Sequence, residues 1–137
     1  FAEGADIVFH ASGACGNGVI EAAAEKGEGF FAVGVDVDQD YMAPGRVLTS
    51  SVKRVDMASY QAVMSIALGT FESGTKTLGI KDEGVGISPM KYTKDVVGLA
   101  ILGEVEFLRE QIKAGAVVVP DTQEKLDAFV VPAITLP

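Results

Sequence analysis

The stretch Asp6-Ile-Val-Phe-His-Ala-Ser-Gly-Ala-Cys-Gly-Asn-Gly-Val-Ile-Glu-Ala-Ala-Ala-Glu-Lys26 carries the first decision about the fold. Its opening, Asp6-Ile-Val-Phe-His-Ala11, is a short and mostly apolar run that halts at glycines, the pattern of a buried strand. Val19, Ile20, Ala23 and Ala24 then recur at helical spacing up to Lys26, and Gly27 supplies a C-terminal stop. Working outward, Phe30-Phe-Ala-Val-Gly-Val35 repeats the buried-strand pattern and ends in the acidic loop Asp36-Val-Asp-Gln-Asp40. Beyond Pro44-Gly45, Val47-Leu-Thr-Ser-Ser-Val52 is a third run of the same kind. The order strand, helix, strand, strand predicts an α/β sheet with parallel strands and a right-handed crossover.

The periodicity further along predicts a helix from about Asp56 to Phe71, with Val55, Tyr60, Val63, Met64, Ala67 and Leu68 on one face and Asp56 in its first turn. Gly74 breaks that pattern, Thr75 to Ile80 reads as a strand, and Gly84-Val-Gly-Ile-Ser88 as a strand end or loop. A second long helix is expected from Lys94 to Lys113, closed by Gly115; of its polar pairs Glu106/Arg109, Glu106/Glu110 and Arg109/Lys113, only the first is attractive. Val117-Val-Val-Pro120 reads as a short strand, and Phe129-Val-Val-Pro-Ala-Ile134 is apolar but interrupted by proline.

The whole sequence has 137 residues, 48% hydrophobic and 22% charged, which is about one domain's worth of chain and reads as globular rather than disordered. Eleven basic against nineteen acidic residues give a net charge of −8, an argument against a nucleic-acid backbone as partner. No apolar run reaches membrane-spanning length. A single cysteine, Cys15, and a single histidine, His10, exclude an internal disulfide and a multi-histidine metal site. The chain opens at Phe1 in mid-pattern, without a methionine or a targeting segment, and so reads as a piece of a longer protein.

Three places carry candidate chemistry. The first is Ser12-Gly-Ala-Cys-Gly-Asn-Gly18, between a strand and a helix, where open α/β sheets bind ligands and where helix N–H groups and close backbone approach are on offer. Its spacing is G-x-x-G-x-G, which is neither the G-x-G-x-x-G of dinucleotide folds nor a phosphate P-loop, since Val19 follows Gly18 in place of lysine. A plain strand-to-helix turn remains the alternative. The second is Asp36, at the carboxyl end of the next strand, where a carboxylate suits the vicinal diol of a ribose. Asp40 reads as a solvated turn residue, and a cation site from Asp36, Asp38 and Asp40 is conceivable but lacks the EF-hand pattern. The third is Lys53-Arg54, where Lys53 either reaches a ligand acceptor, balances Asp36, or is simply a surface charge. A nucleophilic Cys15–His10 pair is disfavoured against Cys15 as a small buried residue.

Taken together, Ala5-Asp-Ile-Val-Phe-His-Ala-Ser-Gly-Ala-Cys-Gly-Asn-Gly-Val19, Gly34-Val-Asp-Val-Asp-Gln39 and Val47-Leu-Thr-Ser-Ser-Val-Lys-Arg-Val-Asp56 resemble, in order and spacing, the basic membrane protein family of solute-binding lipoproteins that serve ABC transporters. Gln111-Ile-Lys-Ala-Gly and Val118-Val-Pro120 are similar to that family's C-terminal end, so the resemblance spans nearly the whole chain. It implies the type I periplasmic-binding-protein fold, an α/β class of two hinged lobes. Residues 1–137 would then supply the C-terminal lobe plus hinge-crossing segments, with the N-terminal lobe and its lipid anchor absent. It also implies an extracytoplasmic protein, not an enzyme and without a cofactor or metal, that binds a nucleoside, often a purine nucleoside, and hands it to a membrane permease. Carried over by matching positions, Asp36 accepts from the ribose hydroxyls, Lys53 reaches the ligand from the hinge side, and Ser12, Gly13 and Gly16 offer loop contacts. Phe9 is the candidate within this chain for the aromatic clamp on the base. The loop departs from the family's habit at Ala14-Cys15. An oxidoreductase fragment whose acid holds a dinucleotide ribose, and a sensor on the same fold, are the alternatives. A lone lobe would leave the helix from Asp56 to Phe71 uncovered, so the piece is expected to self-associate or to pair with its missing half.

Overall fold

The computed structural model describes residues 1–130, and the apolar segment after Val130, including Ile134, lies outside them. The chain forms two compact units, Phe1–Val97 and Gly98–Pro137. In the first, strands β1 (Ile7–Phe9), β2 (Phe31–Asp36), β3 (Val47–Lys53) and β4 (Val85–Ile87) form one sheet in the order β1-β2-β3-β4. β1, β2 and β3 run parallel, as expected, with Phe9 beside Val33 and Asp36 beside Val52. β4 departs from the expected parallel arrangement: it returns antiparallel to β3, with Val52 beside Gly86.

Helix α1 (Gly16–Lys26) joins β1 to β2 and lays Ile20 and Ala23 on Ala32 and Val47 to make the core, with Ala43 closing it. Alanines at Ala23 and Ala32 leave no exposed surface, so helix and sheet approach closely. Ala24, expected on this face, is exposed. The helix begins three residues before Val19, because a 3-10 turn over Gly13–Cys15 runs straight into it. The glycine stretch is therefore mostly helical rather than an open loop. β1 is a short edge strand, not a buried one, and Ile7 and Phe9, which share one face of it, are both exposed.

Helix α2 (Val55–Ala67) follows β3 directly, carries Asp56 in its first turn as expected, and has no buried residue. Thr75–Ile80 is not a strand. Its end closes on itself instead: Gly84 N–H and Asp82 N–H both donate to Gly79 O, and Gly79 N–H donates to the Asp82 carboxylate, so the groups of Gly79 are taken up in a local turn. The expected helix over Lys94 to Lys113 is interrupted. α3 (Lys94–Val97) ends the first unit, and α4 (Leu99–Ala114) starts after Gly98, whose φ of +81° is a conformation that interrupts a right-handed helix.

In the second unit, α4 ends at the left-handed Gly115 (φ +76°), as the glycine predicted, with Ala116 and Val117 N–H groups donating to Gln111 O. Glu106–Arg109 pairs at 3.3 Å, and Glu110–Lys113 adds a second attractive pair at 3.1 Å. The expected strand at Val117–Pro120 is unpaired among the described residues, and Val118 and Val119 stay exposed. A short α5 (Gln123–Asp127), capped by Thr122 accepting from Lys125 N–H, was not evident from the periodicity.

Candidate ligand-binding site

The carboxyl ends of β2 and β3 project their last residues side by side. Asp36 and Lys53 meet there, with Nζ 2.8 Å from Oδ1 and both side chains more than half exposed. Of the readings open for Lys53, the ion pair with Asp36 is the one the structure contains. The chain then turns into α2 through Arg54, whose N–H donates to Gly84 O while its carbonyl accepts from Ala58 N–H. The Arg54 guanidinium grips Asp56 through both carboxylate oxygens, at 2.9–3.2 Å. That hydrogen-bonded pair raises the Arg54 pKa and lowers that of Asp56, so both stay charged.

Beside these groups lies an open cleft of about 640 Å³, lined by Asp36, Val37 and Asp38 after β2 and by Val52, Lys53, Arg54, Val55 and Asp56 at the β3–α2 junction, so that valines supply much of its surface between the charges. Three carboxylates and two cations leave it one unit negative, with Asp38 outside either ion pair. Its chemistry suits a neutral or polar ligand with hydroxyl donors for carboxylate oxygens and acceptors for Lys53.

Asp36 itself sits at φ +68°, a left-handed conformation uncommon for a non-glycine residue. Val37 N–H donates to Val35 O at 2.8 Å across it, and Gln39 Oε1 accepts from Val35 N–H at 2.8 Å. Asp38 Oδ1 accepts from Asp40 N–H. Asp40, expected to be a solvated turn residue, is buried instead, because the 3-10 turn over Asp40–Met42 folds it inward. No group of three or more His, Cys, Asp or Glu among the described residues is placed to hold a metal ion, so the three aspartates do not converge.

The remaining sequence candidates lie one strand away, at the carboxyl end of β1, and do not wall this cleft. Ser12 and Gly13 are exposed in the 3-10 turn, and Phe9 is 58% exposed on β1. Gly16 is buried, and a Cβ there would fall within the His10 ring. His10 is 4% exposed and packed on Gly16, whereas Cys15, expected to be small and buried, is exposed. Gln39 and the Arg54–Asp56 clasp were missed by sequence reasoning. A polar residue three positions past the end of a strand was the only available signal for Gln39.

The carboxyl ends of parallel strands, where this cleft lies, are where open α/β sheets bind ligands. The family model described as ABC transporter substrate-binding protein PnrA-like (Bmp) matches residues 1–123, and the chain belongs to this family. It is 36% identical to basic membrane protein D of Borreliella burgdorferi (strain JD1) over 132 residues, covering 95% of this chain and 38% of that protein. It is likewise 36% identical to basic membrane protein B of Borreliella afzelii (strain PKo), covering 95% of this chain and 36% of the relative. The chain thus spans less than two-fifths of the length of these curated relatives. Among solved structures, an ABC transporter system solute-binding protein from Aeropyrum pernix K1 superposes with a TM-score of 0.71 at 23% identity, over 93% of this chain and 44% of that one. A transcriptional activator of the comK gene from Bacillus halodurans shares the fold at a TM-score of 0.67 and 24% identity, over 80% of this chain and 38% of that one. Among the described residues, no helix is long and apolar enough to cross a membrane.

Proposed function

We propose that this chain is the ligand-gripping part of an extracytoplasmic solute-binding protein that captures a nucleoside, with purine nucleosides foremost, and passes it to an ABC permease. The observation that carries this reading is the juxtaposition of Asp36 and Lys53 at the mouth of the cleft. A carboxylate accepts two hydrogen bonds in the geometry of a ribose diol, and the neighbouring ammonium supplies a donor for a ring or hydroxyl oxygen. Phe9, largely exposed on the adjacent strand, offers an aromatic face for a base, and Ser12 and Gly13 offer hydroxyl and backbone contacts from the β1 side. No step of chemistry is required of these residues.

The charge of the cleft favours a neutral nucleoside over its 5′-phosphate. Two like charges 4 Å apart repel by about 4 kcal/mol at an effective dielectric of 20. The α1 N-terminus offers an anion only about 0.3–1 kcal/mol in return, and Lys53 is already engaged by Asp36. Competition calorimetry on the full-length protein is the test. Adenosine or guanosine is expected to bind at least tenfold more tightly than the corresponding monophosphate, and equal affinities would overturn this polarity.

A further inference from the structure

We infer that Gln39 is a positioning residue for the ligand: it holds Asp36 in the left-handed turn that presents its carboxylate beside Lys53. The inference rests on the nucleoside-binding reading above and adds a residue that touches no ligand in it.

Phe31 N–H donates to Asp6 O, so the main-chain groups of Phe31, Val33 and Val35 all face the β1 edge by strand alternation. β1, however, stops at Phe9, opposite Val33. Val35 therefore extends one step beyond its neighbour, and both its N–H and its carbonyl would be bare on that side. Val37 N–H takes the carbonyl by turning tightly around Asp36, and Gln39 Oε1 takes the amide. The two bonds act together to close the strand end where β1 is missing. A three-residue turn with positive φ at a non-glycine centre persists only where the surroundings over-determine it.

Gln39 is itself held firmly enough to do this. Its N–H donates to Ser50 Oγ at 3.1 Å, its carbonyl accepts from Met42 N–H at 3.0 Å, and its side-chain amide lies 3.7 Å from Met42 Sδ. Ser50 is fully buried and is anchored in turn by its own N–H donating to Ser88 Oγ at 2.9 Å. Gly34 makes the room: a Cβ there would stand 2.5 Å from Ser50 Oγ and 2.7 Å from Gln39 Oε1. A chain of contacts from β4's end through β3 thus reaches the conformation of one ligand-facing carboxylate.

The test compares Gln39→Met, which keeps length but removes the acceptor, with Gln39→Glu, which restores it. Amide hydrogen exchange and calorimetric nucleoside affinity are measured on the full-length protein. In Gln39→Met the Val35 and Val37 amides are expected to exchange at least tenfold faster while the Val33 amide, paired to β1, is unchanged. The Kd for adenosine or guanosine is expected to rise at least tenfold, and Gln39→Glu to recover much of both effects. Ser50→Ala, which removes the acceptor from Gln39 N–H, is an independent second variant with the same expected signature. Unchanged exchange at Val35 and Val37 in Gln39→Met overturns the inference. So does accelerated exchange with undiminished affinity in a protein whose parent binds nucleoside. A parent protein that binds no nucleoside overturns the proposed function instead, and the exchange measurement then decides alone whether Gln39 holds the turn.

Discussion

Asp36 combines two properties that are separable by substitution: an accepting carboxylate and a positive φ of 68°. Removing the carboxylate costs a hydrogen bond to a charged group, about 1.5–3 kcal/mol, or roughly ten- to more than a hundredfold in nucleoside affinity. Both Asp36→Ala and Asp36→Gly are expected to show this loss by calorimetry. Their stabilities should diverge, because alanine in the left-handed region is disfavoured by about 1–2 kcal/mol while glycine is not. Urea unfolding should therefore find Asp36→Gly close to the parent and Asp36→Ala about 1 kcal/mol below it, and equal stabilities would show that the left-handed conformation is not enforced. Gly16 makes a different demand. Because its Cβ position is filled by the buried His10 ring, Gly16→Ala forces overpacking that costs about 1–3 kcal/mol. Adding His10→Ala should recover part of that loss in a double-mutant cycle, and purely additive effects would contradict the packing role assigned here.

Among the elements, hydroxyls add to the antiparallel backbone ladder that ties β4 and the segment after it to β3. Thr93 is fully buried, and its Oγ1 donates to Leu48 O at 2.6 Å. Ser88 accepts from Ser50 N–H through its hydroxyl and approaches Thr49 Oγ1 at 3.2 Å. Thr93→Val keeps the shape but leaves a buried carbonyl short of a donor, an expected loss of about 1–3 kcal/mol. Thr93→Ser retains the hydroxyl and should cost distinctly less, leaving only the lost methyl. Equilibrium urea denaturation compares the two, and equal losses would mean that packing rather than the hydrogen bond secures this segment.

In the first unit α1 covers one face of the sheet, whereas α2 has no buried residue and is only half-buried at Met57, Ala58, Gln61 and Ser65. Val63 is 64% exposed and Leu68, just past the helix, 69%, with Tyr60 and Ile66 also exposed. Exposed apolar side chains grouped on one element favour association. The 137-residue chain alone is expected to sediment as oligomers at tens of micromolar in analytical ultracentrifugation, and charged substitutions at Val63 and Leu68 to shift it toward monomer. A compact monomer with a cooperative melt would contradict this.

The α/β class, the parallel order of the first three strands and the placement of Asp36 and Lys53 at strand ends were legible in the sequence, because each follows from local periodicity and the glycines that interrupt it. Gly115 was legible as the end of a helix, but only the backbone shows that Gly98 interrupts the run before it. The segments Thr75–Ile80 and Val117–Pro120 read as strands because period and propensity do not reveal whether a partner edge exists. Tertiary structure alone decided that β4 runs antiparallel, that Asp40 turns inward and that His10 rests on Gly16. It alone decided, too, that Gln39 replaces the missing strand beside Val35. Each of these depends on which groups meet, by hydrogen bonding or by close packing, once separate segments come together, which spacing along one chain does not encode.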